Sequence, residues 1–223
     1  MRHFHEELQE LKQKLLKMSL VVEEVVRKST DALFKRDLDL AEEVFEDEKL
    51  INRFEIEIDD DGHGLLALDQ PMAVDLRLIT AILKINTDLE RMGDHAINIA
   101  ERALLLLGAP PIEKIVDLPE MATTVRKMLR NALGSFVNDD LVLAENVLKS
   151  DDQVDAFNDG LNEQLQKIME KDSSVIKIGM ILIRVGHDLE RIADLANNIA
   201  EGVIYLKQGK EVRHHLRDDC PHS

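Results

Sequence analysis

The sequence predicts an all-α protein built as two tandem three-helix bundles that are related by internal duplication. Apolar residues recur at intervals of three and four along most of the 223-residue chain, which is the period of an amphipathic helix. Aromatic residues make up 3% of the chain and Trp is absent, so the apolar set is Leu, Ile, Val, Ala and Met, which suits helices more than strands. One segment of the chain occurs twice, and such a repeat predicts two similar folding units.

Interruptions of the helical period divide the chain into six predicted helices. The breaks fall at residues 34–37, 69–71, 108–119, 138–140 and 171–173. The third break is the strongest, because its prolines remove helical N–H donors and restrict their neighbours. We therefore predict a first repeat at 1–109, a linker at 110–117, a second repeat at 118–208 and a C-terminal tail at 209–223.

The repeat is clearest in the last helix of each half. Residues 86–101 read NTDLERMGDHAINIAE and residues 186–201 read GHDLERIADLANNIAE, with ten matches in sixteen at an offset of 100. The second helices also match, at an offset of 103, through Asp37-Leu38 and Asp140-Leu141. Each half is therefore predicted to be three antiparallel helices joined by short loops.

The second helix contains one unusual segment, DDDGHG at residues 59–64. It lacks the alternate acidic spacing and the closing Glu of a calcium-binding loop. The two glycines instead predict a kink or a loosened turn in this helix.

The charge of the chain limits its partners. Lys and Arg number 28 and Asp and Glu number 44, a net charge of -16, which opposes binding to nucleic acid and to anionic lipid. No apolar stretch approaches the length of about 18 to 20 residues that a membrane span needs. The single cysteine, Cys220, and an N-terminus without the apolar core of a signal peptide predict a cytoplasmic protein without direct membrane insertion.

A polar stripe on the repeated helix is the candidate site. The spacing i, i+4, i+8 and i+11 places its members on one helical face in both copies: Glu90, Asp94, Asn98 and Glu101, and then Glu190, Asp194, Asn198 and Glu201. These residues are identical in the two copies, whereas neighbouring positions such as Met92 and Ile192 differ. Carboxylates one turn apart are good ligands for hard cations, so the stripe is either a metal site or a solvated face.

The second helices offer further oxygen ligands. Asp151 and Asp155 repeat the acid-x-x-x-Asp spacing, while the first half has Glu48 and Asn52 at the equivalent positions. We therefore expect the weaker metal site in the first half. Iron, zinc, manganese and magnesium all fit such a ligand set. His95 and His187 flank the stripes, but neither is repeated, which favours ordinary, partly exposed histidines.

Sequence signatures of enzymes are scarce. The chain has no Walker-type phosphate loop and no nucleophile elbow, and its one Glu-x-x-His pair, Glu211 to His214, lies in the tail. We therefore expect a binding protein without catalytic residues. Two alternatives stay open, a structural helical scaffold without metal and a carboxylate-metal enzyme.

The segments LERMGDHAINIAE, LERIADLANNIAE and DQPMAVDLR together resemble the PhoU family of phosphate-transport accessory regulators. The resemblance implies two similar three-helix bundles that bind metal through Glu90 with Asp94 and Glu190 with Asp194. It also implies a negative regulator of phosphate uptake and phosphate-starvation signalling. Its partners would be the ATPase of a phosphate ABC transporter and a phosphate sensor histidine kinase. We also expect a homodimer.

Three arginines are candidates for partner contacts. Arg91 and Arg191 are repeated beside the acidic stripes, and Arg77 belongs to the DQPMAVDLR segment, which has no copy in the second half. For Arg77 a salt bridge with a neighbouring acid is the favoured role, and a partner contact is the alternative.

Overall fold

The protein is all-helical in a computed structural model that describes residues 2–68, 71–109 and 118–208. No strand occurs among these residues. The six α-helices are α1 (Arg2–Lys35), α2 (Leu38–Leu68), α3 (Ala73–Leu105), α4 (Leu118–Asn138), α5 (Leu141–Lys171) and α6 (Ile176–Gln208). One turn of 3₁₀-helix, Ser173–Val175, precedes α6. The all-α prediction and the five predicted breaks are confirmed.

The turns between the first two helices of each half share one design. Arg36 and Asp139, which are 103 positions apart, both have φ of 56°, and each is followed by an aspartate. Asp37 accepts a hydrogen bond from the Leu40 amide, and Asp140 accepts from the Val142 and Leu143 amides. These N-caps satisfy amides that have no partner inside the helix. The duplication therefore extends to the backbone of the turns.

Each half is a three-helix bundle in which every helix packs against the other two. The halves meet mainly where α3 packs against α6, with a smaller contact between α1 and α4. The apolar side chains of α3 that face away from its polar stripe are buried, namely Ile85, Leu89, Met92, Ala96 and Ile99. Buried apolar residues of both halves form one continuous core. The two repeats therefore lie side by side along their repeated helices.

The loosened turn expected at residues 59–64 is not found, because α2 continues as helix through this segment, and a kink of the helix axis stays a prediction. Gly62 is buried where α2 crosses α3, and a Cβ atom there would lie 2.5 Å from Leu83 Cδ2. Gly64 faces open space. Gly62 therefore allows close approach of the two helices, and it does not interrupt α2.

Several sequence predictions concern residues outside the described ranges. They are the linker at 110–117 and the tail at 209–223, including Cys220 and the Glu211 to His214 pair. The proposed domain limits stay a prediction. Within the described helices, none is long and apolar enough to cross a membrane.

Candidate functional site

The second repeat brings four carboxylates together between α5 and α6. Glu190 and Asp194 lie one turn apart on α6, and Asp151 lies opposite them on α5. Burial, together with the negative charges of Asp155 and Asp194, raises the pKa of Asp151 to about 6. Burial also raises the pKa of Asp194, against the nearby charge of Arg191. The four acids therefore form one site of concentrated negative charge, which we call the second carboxylate cluster.

The first repeat has an equivalent group between α2 and α3. Burial raises the pKa of Glu90, and the negative charges of Asp94, Glu55 and Glu48 act in the same direction. Glu90, Asp94, Glu48 and Glu55 therefore form the first carboxylate cluster. Both clusters disfavour additional negative charge and favour a bound cation.

Glu55 is a member that sequence reasoning missed. The offset of 103 pairs Glu48 with Asp151, Asn52 with Asp155 and Glu55 with Asn158. Each cluster therefore contains four carboxylates, although the acids occupy different positions. The available signal was the spacing, because Glu55 lies seven residues after Glu48 and seven residues return a side chain to the same helical face. The expectation of a weaker first site, which rested on Asn52, loses its basis.

Hydrogen bonds hold part of the second carboxylate cluster in place. Asn158 Nδ2 donates to Glu190 Oε2 at 3.0 Å, and His187 Nδ1 lies 3.2 Å from the same oxygen. Arg191 donates to Asp194 at 3.0 Å. Within the described part of the chain, no three side chains of His, Cys, Asp or Glu already converge on one metal position. The carboxylate oxygens suit hard cations, and binding one requires side-chain rotation.

The remaining members of the predicted stripes lie away from these clusters. Glu201 follows Asp194 by seven residues, which is about 10 Å along the helix axis. Asn198 forms a hydrogen bond with Asp88 of α3, and Glu201 lines a cavity between α3 and α6. In the first repeat, Asn98 is half-buried and Glu101 is exposed. The structure thus brings the first two residues of each stripe toward the second helices, and in the second repeat it leaves Asn198 and Glu201 at the contact between the repeats.

The candidate arginines line two cavities between α3 and α6. Arg91 and Arg191 line a cavity of about 360 Å³ together with His95 and Asp194. Arg77 is exposed and lines a separate cavity of about 440 Å³. Among the described residues Arg77 forms no ion pair, so the salt bridge favoured from the sequence is not seen there. All three arginines stay candidates for partner contacts.

Two buried aspartates mark the contact between the repeats. Asp188 on α6 pairs with Arg102 on α3, and its Oδ1 lies 3.0 Å from His95 Nδ1. Asp88 on α3 has the equivalent position, and burial raises its pKa to about 6 against the opposing charge of Arg91 and the hydrogen bond from Asn198. Because Asp88 meets residue 198 while Asp188 meets residues 95 and 102, α3 and α6 run antiparallel. The aspartate is repeated in the sequence, but the sequence does not reveal these pairings.

The fold and the clusters define an internally duplicated, all-helical protein in which each three-helix repeat carries four carboxylates between its second and third helices. The family model described as PhoU domain matches residues 15–103 and 118–203, one match for each repeat. The matched residues make up most of the chain. The chain therefore belongs to the PhoU family.

Similar proteins match over nearly their whole length. A phosphate-specific transport system accessory protein PhoU homologue of Aquifex aeolicus (strain VF5) is 42% identical over 213 residues, covering 95% of this chain and 96% of the relative. A homologue of the same description from Pseudomonas putida is 39% identical, covering 96% and 84%. The crystal structure of PhoU from Pseudomonas aeruginosa superposes with a TM-score of 0.90 at 38% identity, covering 93% of this chain and 100% of that one.

A second solved structure, the phosphate transport system regulatory protein PhoU from Streptococcus pneumoniae, gives a TM-score of 0.85 at 32% identity. It covers 94% of this chain and 99% of that chain. At these identities and coverages, the similarity includes both repeats and the contact between them. The tandem three-helix architecture predicted from the sequence is confirmed.

Proposed function

We propose that this protein is a negative regulator of phosphate uptake and phosphate-starvation signalling that acts by binding other proteins. The observation that carries the proposal is the full-length similarity to proteins named as accessory or regulatory components of phosphate transport. The proposed partners are the ATPase of a phosphate ABC transporter and a phosphate sensor histidine kinase, both met in the cytoplasm. We also propose a homodimer.

The charge of the chain supports regulation through protein contacts. A net charge of -16 repels a polyanion, which argues against direct binding to promoter DNA. The same charge favours basic surfaces on partner proteins. The repeated Arg91 and Arg191 are exposed and line one cavity, in which Arg191 is paired with Asp194. They are the residues we propose for a contact with an acidic surface of a partner.

We further propose that both carboxylate clusters bind metal ions. The support is electrostatic, because each cluster gathers four acids and burial raises the pKa of Glu90, Asp151 and Asp194. A divalent or trivalent ion would offset this repulsion, and iron, zinc, manganese and magnesium are all candidates. The acids of this chain would hold the ion, and Asn158 would position Glu190 through its hydrogen bond.

Metal content in matched variants tests the site. Purified protein is dialysed against each metal in turn and measured by elemental analysis, for wild type, for Glu190→Gln with Asp194→Asn, and for Glu90→Gln with Asp94→Asn. Because each cluster has four acids, we expect each double variant to lose about half of the bound metal. An exposed pair on α5, Glu163→Gln with Glu170→Gln, removes the same charge and should lose none.

Two results would contradict the metal proposal. Equal metal content in all variants would show that the clusters do not bind it, and wild type without metal would favour a structural helical scaffold. The hydrogen-bond donors that face Glu190 and Asp194 would stabilise such a scaffold.

The regulatory proposal is tested separately, by a reporter for phosphate-starvation genes in a deletion strain.

A further inference from the structure

A cavity of about 440 Å³ between α3 and α6 contains a buried carboxylate that lacks a full set of partners. The cavity is lined by Asp88, whose residue exposure is 6%, and by apolar surface that includes Leu76, Ile85 and Tyr205. One oxygen of Asp88, Oδ2, is buried and accepts no hydrogen bond from any described residue. Buried acceptors are nearly always satisfied, so this atom requires an explanation.

The second repeat shows how the same carboxylate is satisfied. Asp188 is the equivalent of Asp88 at the offset of 100, and it is also buried, with an exposure of 4%. The guanidinium of Arg102 pairs with Asp188, and His95 contacts the other oxygen. A buried carboxylate in this interface therefore takes an arginine from the facing helix.

The chain lacks both donors at the first position. The equivalent of Arg102 is Gly202, and the equivalent of His95 is Leu195. Gly202 lines the cavity beside Asp88, and a Cβ atom there would meet nothing within 4 Å. The space that a side chain at residue 202 would enter is therefore open.

We propose that this cavity receives the arginine side chain of a partner protein. A guanidinium binds a carboxylate through two parallel N–H groups, which suits the unsatisfied oxygen of Asp88. The apolar lining suits the methylene stem of an arginine. This inference rests on the cavity alone and holds whether or not the carboxylate clusters bind metal.

Two cations of the chain also line the cavity, Arg77 and Lys84. Lys84 lies one turn before Asp88, but its equivalent, Arg184, is exposed and forms no ion pair within the described ranges, while Asp188 pairs with Arg102 instead. A cation one turn before the aspartate therefore does not form an ion pair with it. Arg77 and Lys84 disfavour basic residues beside the incoming arginine, and Glu201, which also lines the cavity, disfavours acidic ones, so neutral neighbours fit best.

Peptide binding to the full-length protein tests the proposal. The probe is acetyl-Ala-Arg-Ala-amide, measured by titration calorimetry, and its control is the same peptide with citrulline, which has the same shape without the charge. We expect the citrulline peptide to bind at least tenfold more weakly. Asp88→Asn should weaken the arginine peptide at least tenfold, whereas Asp60→Asn, which removes one exposed acid of α2, should leave its affinity within twofold.

A second pair of variants tests whether a guanidinium beside Asp88 occupies the cavity. Gly202→Arg should place a guanidinium beside Asp88 as Arg102 does beside Asp188, abolish binding of the probe and raise the melting temperature. Gly160→Ala on α5 also adds a side chain in open space but does not line this cavity, and it should keep the wild-type affinity. Circular dichroism confirms that each variant is folded.

Several results would overturn the proposal. Equal affinity for the citrulline peptide, unchanged binding by Gly202→Arg, or no binding by wild type at millimolar peptide would each do so. Displacement of the probe by inorganic phosphate would indicate an anion site at Arg77 and Lys84. Tighter binding after Lys84→Met would show that this lysine occupies the cavity, and tighter binding after Arg213→Gln with Arg217→Gln would assign the cavity to the chain's own C-terminal residues.

Discussion

Replacing each interfacial aspartate by asparagine should change stability in opposite directions. Asp88→Asn removes a buried negative charge whose Oδ2 has no hydrogen-bond partner among the described residues. Asp188→Asn removes the same charge where Arg102 and His95 balance it. The two substitutions are identical in size and occupy equivalent positions. The surroundings of the carboxylate are therefore the main difference between them.

The expected magnitudes follow from the structure. The pKa of Asp88 rises from 3.8 to about 6, and one pH unit corresponds to about 1.4 kcal/mol, so ionised Asp88 destabilises the folded protein by roughly 2 to 3 kcal/mol at pH 7. Asp88→Asn should recover most of this amount. Asp188→Asn should lower the free energy of unfolding by roughly 3 kcal/mol, because it leaves the largely buried guanidinium of Arg102 without its partner.

The pH dependence has a definite sign. Folded Asp88 keeps its proton up to about pH 6, whereas in the unfolded chain the proton is released near pH 3.8. The folded protein therefore binds more protons in this window, and the contribution of Asp88 to stability falls as the pH rises through it. The gain from Asp88→Asn should be full at pH 7 and nearly absent at pH 4.

Urea denaturation of wild type and both variants, at pH 7 and pH 4, measures these differences. The dependence of the free energy of unfolding on urea should stay the same in all three proteins, so that changes in the midpoint report stability. The reasoning is refuted if Asp88→Asn destabilises the protein at pH 7, or if its effect is the same at both pH values. Equal effects of the two substitutions would show that Arg102 and His95 do not distinguish the sites.

Three further predictions concern the helices and the regulatory role. Gly64→Ala should raise the free energy of unfolding by about 0.5 to 1 kcal/mol, because α2 is helical there and the added methyl meets open space. Gly62→Ala should lower it by about 1 to 2 kcal/mol, because its methyl displaces Leu83; urea denaturation measures both, and equal effects would contradict the packing. Asp140→Ala should cost about 1 kcal/mol, measured in the same way, through loss of the cap on α5, and no loss would contradict a stabilising cap. Deletion of the gene should activate phosphate-starvation reporters in rich phosphate, while the purified protein should not shift promoter DNA at physiological salt; a silent reporter or a shifted band would contradict the regulatory proposal.

The sequence was informative wherever the physics is local. Helical periodicity and the breaks at residues 34–37 and 138–140 identified the elements, because amphipathic spacing and cap residues act over a few residues. The acid-x-x-x-Asp spacing identified one half of each carboxylate cluster for the same reason. A comparison of equivalent positions in the two repeats does not identify Glu55, because its equivalent is Asn158. The charge of the cluster depends instead on how many acids share the helical face.

The sequence failed where the answer depends on a neighbouring helix. The glycines at residues 62 and 64 predicted an interruption, but Gly62 is explained by Leu83 of α3, which is distant in sequence. The pairing of Arg102 with Asp188 requires the antiparallel arrangement of α3 and α6, and no spacing within one helix contains that information. Asn198 and Glu201 share a helical face with the acids of α6, but they lie at the contact with α3 and not in the second carboxylate cluster.

The difference between the two aspartates bears on why the chain keeps an unsatisfied carboxylate. A neutral residue at position 88 would avoid the cost of a buried charge, and the second repeat shows that an arginine from the facing helix can also satisfy it. The first repeat has neither solution, because residue 202 is glycine. Strain or imbalance of this kind persists where function requires it, and proteins often give up stability at binding sites. If the cavity binds a partner's arginine, the guanidinium offsets the buried negative charge of Asp88. The free energy that destabilises the free protein at Asp88 then contributes to the affinity of the complex.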